Sequence, residues 1–134
     1  MQGIACIRIN DGCRRINGFK KIIPVKQPFD WIMAFSSVAA AIDTKRQAKG
    51  MTFVASKIDP NQVSKMMELD RQGVIAGYVV YTMAINRLYF IPVSMLHLSL
   101  ASGLSIRLIE QLDLGTLENS DLKRIFQWTG SGQS

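Results

Sequence analysis

The chain has 134 residues, enough for one domain with a real core, and its sixteen Lys and Arg against ten Asp and Glu favour a polyanionic partner. Its two cysteines form no CxxC pair and no histidine cluster accompanies them, which argues against a disulfide scaffold or a zinc site and fits a reducing intracellular setting. No uncharged run reaches the roughly 20 residues that span a bilayer, and the first residues lack a signal-peptide pattern, so we expect a soluble protein without a membrane partner.

The first part of the chain predicts a short strand followed by a cationic segment. Ile4–Ile9 has the composition of a strand and contains Arg8. The next segment, Asn10–Lys21, is predicted to be a loop, and Ile22–Lys26 a short edge strand. Four cations occupy the loop: Arg14, Arg15, Lys20 and Lys21. These cations and Arg8 are either ordinary solvated residues or phosphate contacts, since Lys and Arg supply the sequence-independent part of DNA affinity.

The next stretch predicts a hairpin with an acidic residue at the end of each strand. Two apolar runs, Asp30–Phe35 and Val38–Ile42, flank a pair of serines. Symmetric pairing over the serines places Asp30 opposite Asp43. Like charges at directly opposed positions destabilise a sheet, whereas a hard divalent cation between the two carboxylates would stabilise it. The hairpin therefore predicts a metal site.

A lysine follows the second acid at a spacing that matters in a strand. Lys45 lies two residues after Asp43, so both side chains should point to the same face of the sheet. Asp121 and Lys123 repeat the spacing at a predicted helix start, where residues two apart diverge, so we expect no catalytic role for that copy. Two further basic residues follow the first copy: Arg46 and Lys49.

The middle of the chain predicts a helix. Asp59 is a suitable cap, Pro60 is pre-set for the first helical position, and Gly73 ends the run. Gln62 lies in the first turn, one turn before Met66, and its spacing alone indicates a surface glutamine.

The remaining elements complete a mixed α/β order, for which we expect one domain over residues 1–129 and a disordered tail over residues 130–134. The only histidine, His97, has no carboxylate or cysteine nearby in sequence and is expected to be a packed or surface residue. Val74–Met83 is nearly all apolar, as in a strand buried on both faces. The elements that follow it are predicted as a strand and two helices: Leu88–Ile91, Val93–Ala101 and Ser120–Trp128.

Apolar residues are abundant in the last third of the chain. They are Leu96, Leu98, Leu100, Leu104, Ile106 and Leu108. One short helix cannot bury all of them inward, so they either complete the monomer core or form the interface of a two-fold homodimer.

Taken in order, these motifs resemble the PD-(D/E)xK nuclease superfamily, and within it the Holliday-junction resolvases of archaeal and RecU type. The likeness spans residues 3–128 and is carried by the segments GIACIRI, PFD, IDTK, DPNQVSKMMELDRQGVIAGYVV and LYFIPVSML. The resemblance implies a restriction-endonuclease-like fold, with a central mixed β-sheet flanked by helices. It also implies a Mg²⁺-dependent endonuclease, with Mn²⁺ as a substitute, that acts on four-way DNA junctions in recombination and repair.

The resemblance assigns roles to five residues. Asp30 and Asp43 would bind the metal, with the backbone carbonyl of Thr44 beside them. Lys45 would orient or activate the attacking water, and Gln62 would be a secondary site residue.

Several points stay open in this resemblance. These families carry a further glutamate on a helix before the first strand, whereas the glutamates here are Glu68, Glu110 and Glu118, so the number of metal ions and the turnover are open. A restriction-type or repair nuclease on duplex DNA, and a DNA-binding module that does not cleave, are the alternative functions. The resemblance implies a cytoplasmic setting, with the nucleoid or a phage-infected cell as candidate locations.

Overall fold

A six-stranded mixed sheet forms the centre of the computed structural model, which describes the backbone at residues 5–8, 13–15, 22–24, 31–35 and 37–132. The strands of this sheet, in spatial order, are β1 (Ala5–Arg8), β4 (Trp31–Phe35), β5 (Val38–Gln47), β7 (Ile75–Thr82), β8 (Arg87–Pro92) and β10 (Leu112–Thr116). Only the β5–β7 pair of this sheet is parallel. The parallel pair requires a crossover, and helix α1 (Pro60–Arg71) lies in the connection between the two strands.

The described residues also form two small sheets, three α-helices and two short 3-10 helices, Ala55–Lys57 and Leu108–Glu110. The small sheets pair β2 (Cys13–Arg15) with β3 (Ile22–Pro24) and β6 (Thr52–Phe53) with β9 (Ile106–Arg107). The α-helices are α1 (Pro60–Arg71), α2 (Val93–Ser102) and α3 (Lys123–Gly132). None of the described helices is long and apolar enough to cross a membrane.

Helices cover both faces of the sheet, as the alternation along β7 shows. Tyr78 packs in a core with residues of α1 and α2, whereas its neighbour Val79 packs in a second core with Ile125 of α3. Strand β7 is therefore buried on both faces, which confirms the prediction from its continuous apolar run. The central sheet flanked by helices confirms the predicted α/β class.

Helix α1 begins where its sequence signals place it. The Asp59 carboxylate accepts hydrogen bonds from the backbone N–H groups of Asn61 and Gln62, at 3.0 and 3.4 Å, and Pro60 opens the helix. Gly73 follows two residues after the last helical residue with φ of +90°, a conformation that glycine adopts without strain. The cap positions Gln62 in the first turn, facing the sheet.

The structure corrects one prediction about the first part of the chain. The cationic segment Asn10–Lys21 is not only a loop, because Cys13–Arg15 forms a strand that pairs with Ile22–Pro24. Extended backbone beside another extended segment satisfies its hydrogen bonds by pairing. At the other end, helix α3 continues to Gly132, and the predicted domain bounds stay a prediction.

The apolar residues of the last third divide between core and surface. Leu96, Ile106 and Leu108 are buried in the core of the chain, and Leu100 is partly buried. Leu98 and Leu104 are 58% and 71% exposed. The apolar surface left for a partner is therefore smaller than the sequence pattern suggested.

Candidate functional site

The hairpin of β4 and β5 has the register that the sequence predicts. Phe35 pairs with Val38 next to the turn, and Trp31 pairs with Ile42 at the far end. Asp30 precedes Trp31 and lies outside the described residues, so its opposition to Asp43 stays a prediction.

Asp43 and Lys45 lie on the same face of β5 and form an ion pair. The ammonium nitrogen of Lys45 is 3.0 Å from Oδ2 of Asp43. Asp43 is only 7% exposed, while a third of the Lys45 side chain remains accessible. Removing a carboxylate from water is unfavourable unless a cation and hydrogen bonds compensate, and Lys45 provides that cation here. The ion pair confirms the prediction that Asp43 and Lys45 lie in a strand and point to the same face.

Tyr78 completes this group and was missed in the sequence. It is the parallel-strand neighbour of Asp43 on β7, and it is fully buried. The Lys45 ammonium lies 5.0 Å from the centroid of its ring, within the range of a cation–π interaction. A tyrosine in the middle of a buried strand needs a polar partner for its hydroxyl, and that requirement was the available signal.

The Tyr78 hydroxyl connects the sheet to the first turn of α1. It donates a hydrogen bond to Oε1 of Gln62 at 2.5 Å and accepts one from the backbone N–H of Asp59 at 3.2 Å. Burial raises the pKa of Tyr78, an effect that the Asp59 N–H and the Lys45 charge partly oppose. The phenol is thus held as a neutral donor. The structure brings Gln62 into the same group as Asp43 and Lys45, instead of leaving it on the surface.

Thr44 and Arg46 belong to the opposite face of β5. Successive strand residues alternate between faces, and both of these side chains are exposed. Arg46 therefore does not share the face of Asp43, although it lies at the same strand end. Lys49 is also exposed, in the turn that follows β5.

The other predicted DNA-binding residues are described only in part. Arg8 is in β1, and Arg14 and Arg15 are in β2, where only the backbone is described. Lys20 and Lys21 lie outside the described residues, so their contact with DNA stays a prediction.

The second Asp-x-Lys copy is an ordinary helix start. Asp121 accepts a hydrogen bond from the backbone N–H of Lys123 at 3.2 Å, and its other oxygen lies 3.9 Å from Arg124. Both Asp121 and Lys123 are exposed. The structure thus confirms the predicted helix start, and the absence of a catalytic role for this copy stays a prediction.

The donor chemistry of Asp43 fits a hard divalent cation. Mg²⁺ is usually held by one or two carboxylates, with waters and substrate phosphates as its other ligands. Within the part of the chain that the structure describes, no three His, Cys, Asp or Glu side chains lie together as a metal cluster. The glutamates have partners elsewhere: Glu68 with Arg71, Glu110 with Arg107 and Glu118 with Asn86. Asp43 supplies one such carboxylate, and a metal site shared with Asp30 stays a prediction.

The order and pairing of the strands are those of the restriction-endonuclease-like fold. A solved structure of Hjc, a Holliday junction resolvase from the archaeal hyperthermophile Archaeoglobus fulgidus, is similar over 93% of this chain and 86% of that chain. The TM-score is 0.58 and the sequence identity 15%, so the likeness confirms the predicted fold. No protein-family model matches the sequence, and no curated protein matches it significantly.

Proposed function

We propose that this protein is a metal-dependent DNA endonuclease that hydrolyses phosphodiester bonds, with four-way junctions as its preferred substrate. The observation that supports the proposal best is the buried Asp43 carboxylate paired with Lys45 on one face of β5. The fold that contains this pair is similar to that of the Archaeoglobus fulgidus resolvase. As an enzyme of recombination and repair, the protein would act inside the cell.

Each residue of the site has a distinct role in this proposal. Asp43, Asp30 and the Thr44 carbonyl would hold Mg²⁺, or Mn²⁺ in its place. When bound, the ion would polarise the scissile phosphate and lower the pKa of the attacking water. Lys45 would orient that water and offset negative charge at the phosphate. Gln62 would hold the Tyr78 hydroxyl, and thereby the ring beside Lys45.

Two further features belong to the proposal. The predicted cations in β1, in β2 and after β5 would contact phosphates and position the DNA without reading its sequence. A junction is resolved by two symmetric nicks, and the chain offers one candidate site. The working unit would therefore be a two-fold homodimer, for which exposed Leu98 and Leu104 offer apolar surface.

The test is cleavage of labelled four-way junction, linear duplex and single strand, with and without Mg²⁺. We expect metal-dependent cleavage that is strongest on the junction. Asp43→Asn should abolish cleavage and preserve or strengthen binding, because a charge that repels phosphate is removed. Asp121→Asn is the matched control, since it changes the same residue type in the exposed copy and asparagine still caps a helix.

The other outcomes separate the competing functions. Equal cleavage of duplex and junction would indicate a restriction-type or repair nuclease. Binding without cleavage under any divalent metal would indicate a DNA-binding module. Wild-type activity in Asp43→Asn, or no binding to any DNA at low salt, would refute the proposal.

A further inference from the structure

The turn between β7 and β8 exposes apolar side chains at one end of the sheet. Residues 83–86 form the turn, and Met83 and Ile85 within it are each 47% exposed. We call Met83, Ala84 and Ile85 the apolar tip. Leu117, in the loop after β10, is 55% exposed and precedes Glu118, which contacts the same turn.

Hydrogen bonds on both sides anchor this turn at Asn86. Asn86 has a φ of +53°, a left-handed conformation that asparagine tolerates better than most residues. Its amide oxygen accepts a hydrogen bond from the Tyr81 hydroxyl at 2.8 Å, and its amide nitrogen donates to Glu118 at 3.0 Å. A turn fixed in this way loses little further conformational entropy when it binds a partner.

The apolar tip lies at the strand end next to the candidate site. Lys45 pairs with Val80 in the parallel register, and Met83 is three residues further along β7. At about 3.3 Å per strand residue, the tip begins about 10 Å beyond Lys45. The backbone N–H of Met83 donates to the carbonyl of Gln47 at 2.9 Å, which joins the tip to the end of β5. Ligands of open α/β sheets bind outside the carboxyl ends of the strands, which is where the tip stands.

Gln47, which accepts the Met83 hydrogen bond, also contacts basic residues near the tip. The buried side chain of Gln47 donates to the carbonyl of Lys49 at 2.7 Å and accepts from the ammonium of Lys57 at 3.2 Å. Both lysines are exposed, and exposed Arg46 precedes Gln47. Glu118 is the acid that contacts the turn, from the opposite side. Apolar groups bordered by cations match the chemistry of nucleic acids, whose bases are apolar on their faces and whose backbone is anionic.

We propose that the apolar tip is a wedge that inserts between bases of branched DNA, while Lys49 and Lys57 contact the adjoining phosphates. This inference rests on the proposed nuclease function and extends it to the substrate structure. Isoleucine and methionine inserted at a base step unstack it, at an energy that must be recovered from protein contacts. Unstacking is least unfavourable where pairing is already disturbed, as at a branch point. The wedge would therefore favour branched over continuous DNA.

The test uses the full chain and a four-way junction with 2-aminopurine at the branch point, in EDTA so that the DNA stays intact. Wild-type protein should raise the fluorescence, because the base analogue brightens when unstacked. Met83→Gln with Ile85→Thr keeps the length of the first side chain and the β-branch of the second, and it replaces apolar surface with polar groups. It should suppress the rise and weaken junction binding about tenfold, equivalent to about 1.4 kcal/mol.

Val38→Thr is the matched control. Val38 is partly exposed at the opposite end of β5, and threonine has the same shape as valine. The control should retain the wild-type fluorescence rise and affinity. The tip variant and the control should both bind linear duplex nearly as well as the wild type does. A urea-unfolding midpoint equal to that of the wild type would establish that the tip variant is folded. Lys49→Ala should weaken junction and duplex alike, as expected for a phosphate contact.

The outcomes distinguish this inference from the function on which it rests. Absence of DNA binding by the wild type would refute the nuclease proposal and the wedge together. DNA binding with unchanged fluorescence and affinity in the tip variant would refute the wedge alone. A loss of dimer mass in the tip variant, with junction binding unchanged, would make the tip a protein interface and also overturn the inference.

Discussion

Replacing Tyr78 with phenylalanine removes one oxygen from the centre of the candidate site and leaves the ring. The hydroxyl makes two hydrogen bonds, one to Gln62 and one from the backbone N–H of Asp59. The ring keeps its contacts, with the Lys45 ammonium 5.0 Å away and the Phe53 ring edge-to-face at 5.9 Å. The change therefore isolates the hydrogen bonding.

The structure sets the expected magnitude. Tyr78 is fully buried, whereas its partners Gln62 and Asp59 are half-buried and exposed, so water can replace the lost hydroxyl for them only in part. A hydrogen bond contributes about 0.5–1.5 kcal/mol net, and for the two bonds together we expect a decrease of about 1–2 kcal/mol in the free energy of unfolding. For a domain of this size, each kcal/mol lowers the melting temperature by about 4 °C.

Urea denaturation of the two proteins measures this difference. An equal slope of the free energy of unfolding against urea concentration would show that both proteins unfold in the same way. Tyr81→Phe is the control, since Tyr81 is only partly buried and its hydroxyl makes one hydrogen bond, to Asn86 at 2.8 Å. The control should be destabilised less. Equal stability of Tyr78→Phe and the wild type would refute this reading of the site.

The pH dependence gives a second readout of the same change. Because burial raises the pKa of Tyr78 above its unfolded value near 10, the folded state binds more protons than the unfolded state in alkali. The stabilisation is complete below about pH 10 and is lost as the pH rises through the folded pKa. Tyr78→Phe should flatten that alkaline loss of stability. An identical alkaline decline in both proteins would contradict the assignment.

Three other predictions concern packing, charge and assembly. Gly77→Ala should lower the free energy of unfolding by at least about 3 kcal/mol, because the new Cβ would collide with the carbonyl of Ile91 and approach the Phe90 ring to 3.0 Å. Gly103→Ala, with φ of +76° and open space around it, should lose only about 1–2 kcal/mol, and equal losses would contradict the steric argument. For each phosphate neutralised, log K for duplex binding should fall by about 0.9 per tenfold increase in salt concentration. Arg14→Ala or Arg15→Ala should reduce that slope. Salt-insensitive binding would contradict the DNA assignment. Light scattering should give a dimer mass, and a mass near 15.0 kDa that persists with junction DNA would exclude the dimer.

Local pattern was sufficient to predict much of this molecule. The serine-centred hairpin has the predicted register, because two apolar strands around a short turn pair in essentially one symmetric way. The shared face of Asp43 and Lys45 follows from the two-residue period of a strand. The start of α1 follows from its Asp59 cap. Each of these depends on residues that are close in sequence.

Other features depended on contacts between distant parts of the chain. Tyr78 and Gln62 are 16 positions apart, and they meet because the parallel register of β5 and β7 sets Tyr78 beside Asp43 while α1 crosses above it. The sequence could not show that Leu96 would be buried and Leu98 exposed in one helix with little polar contrast. Strand periodicity and helix caps are set by neighbours along the chain. The burial and partner of a given side chain are decided only when the helices pack against the sheet.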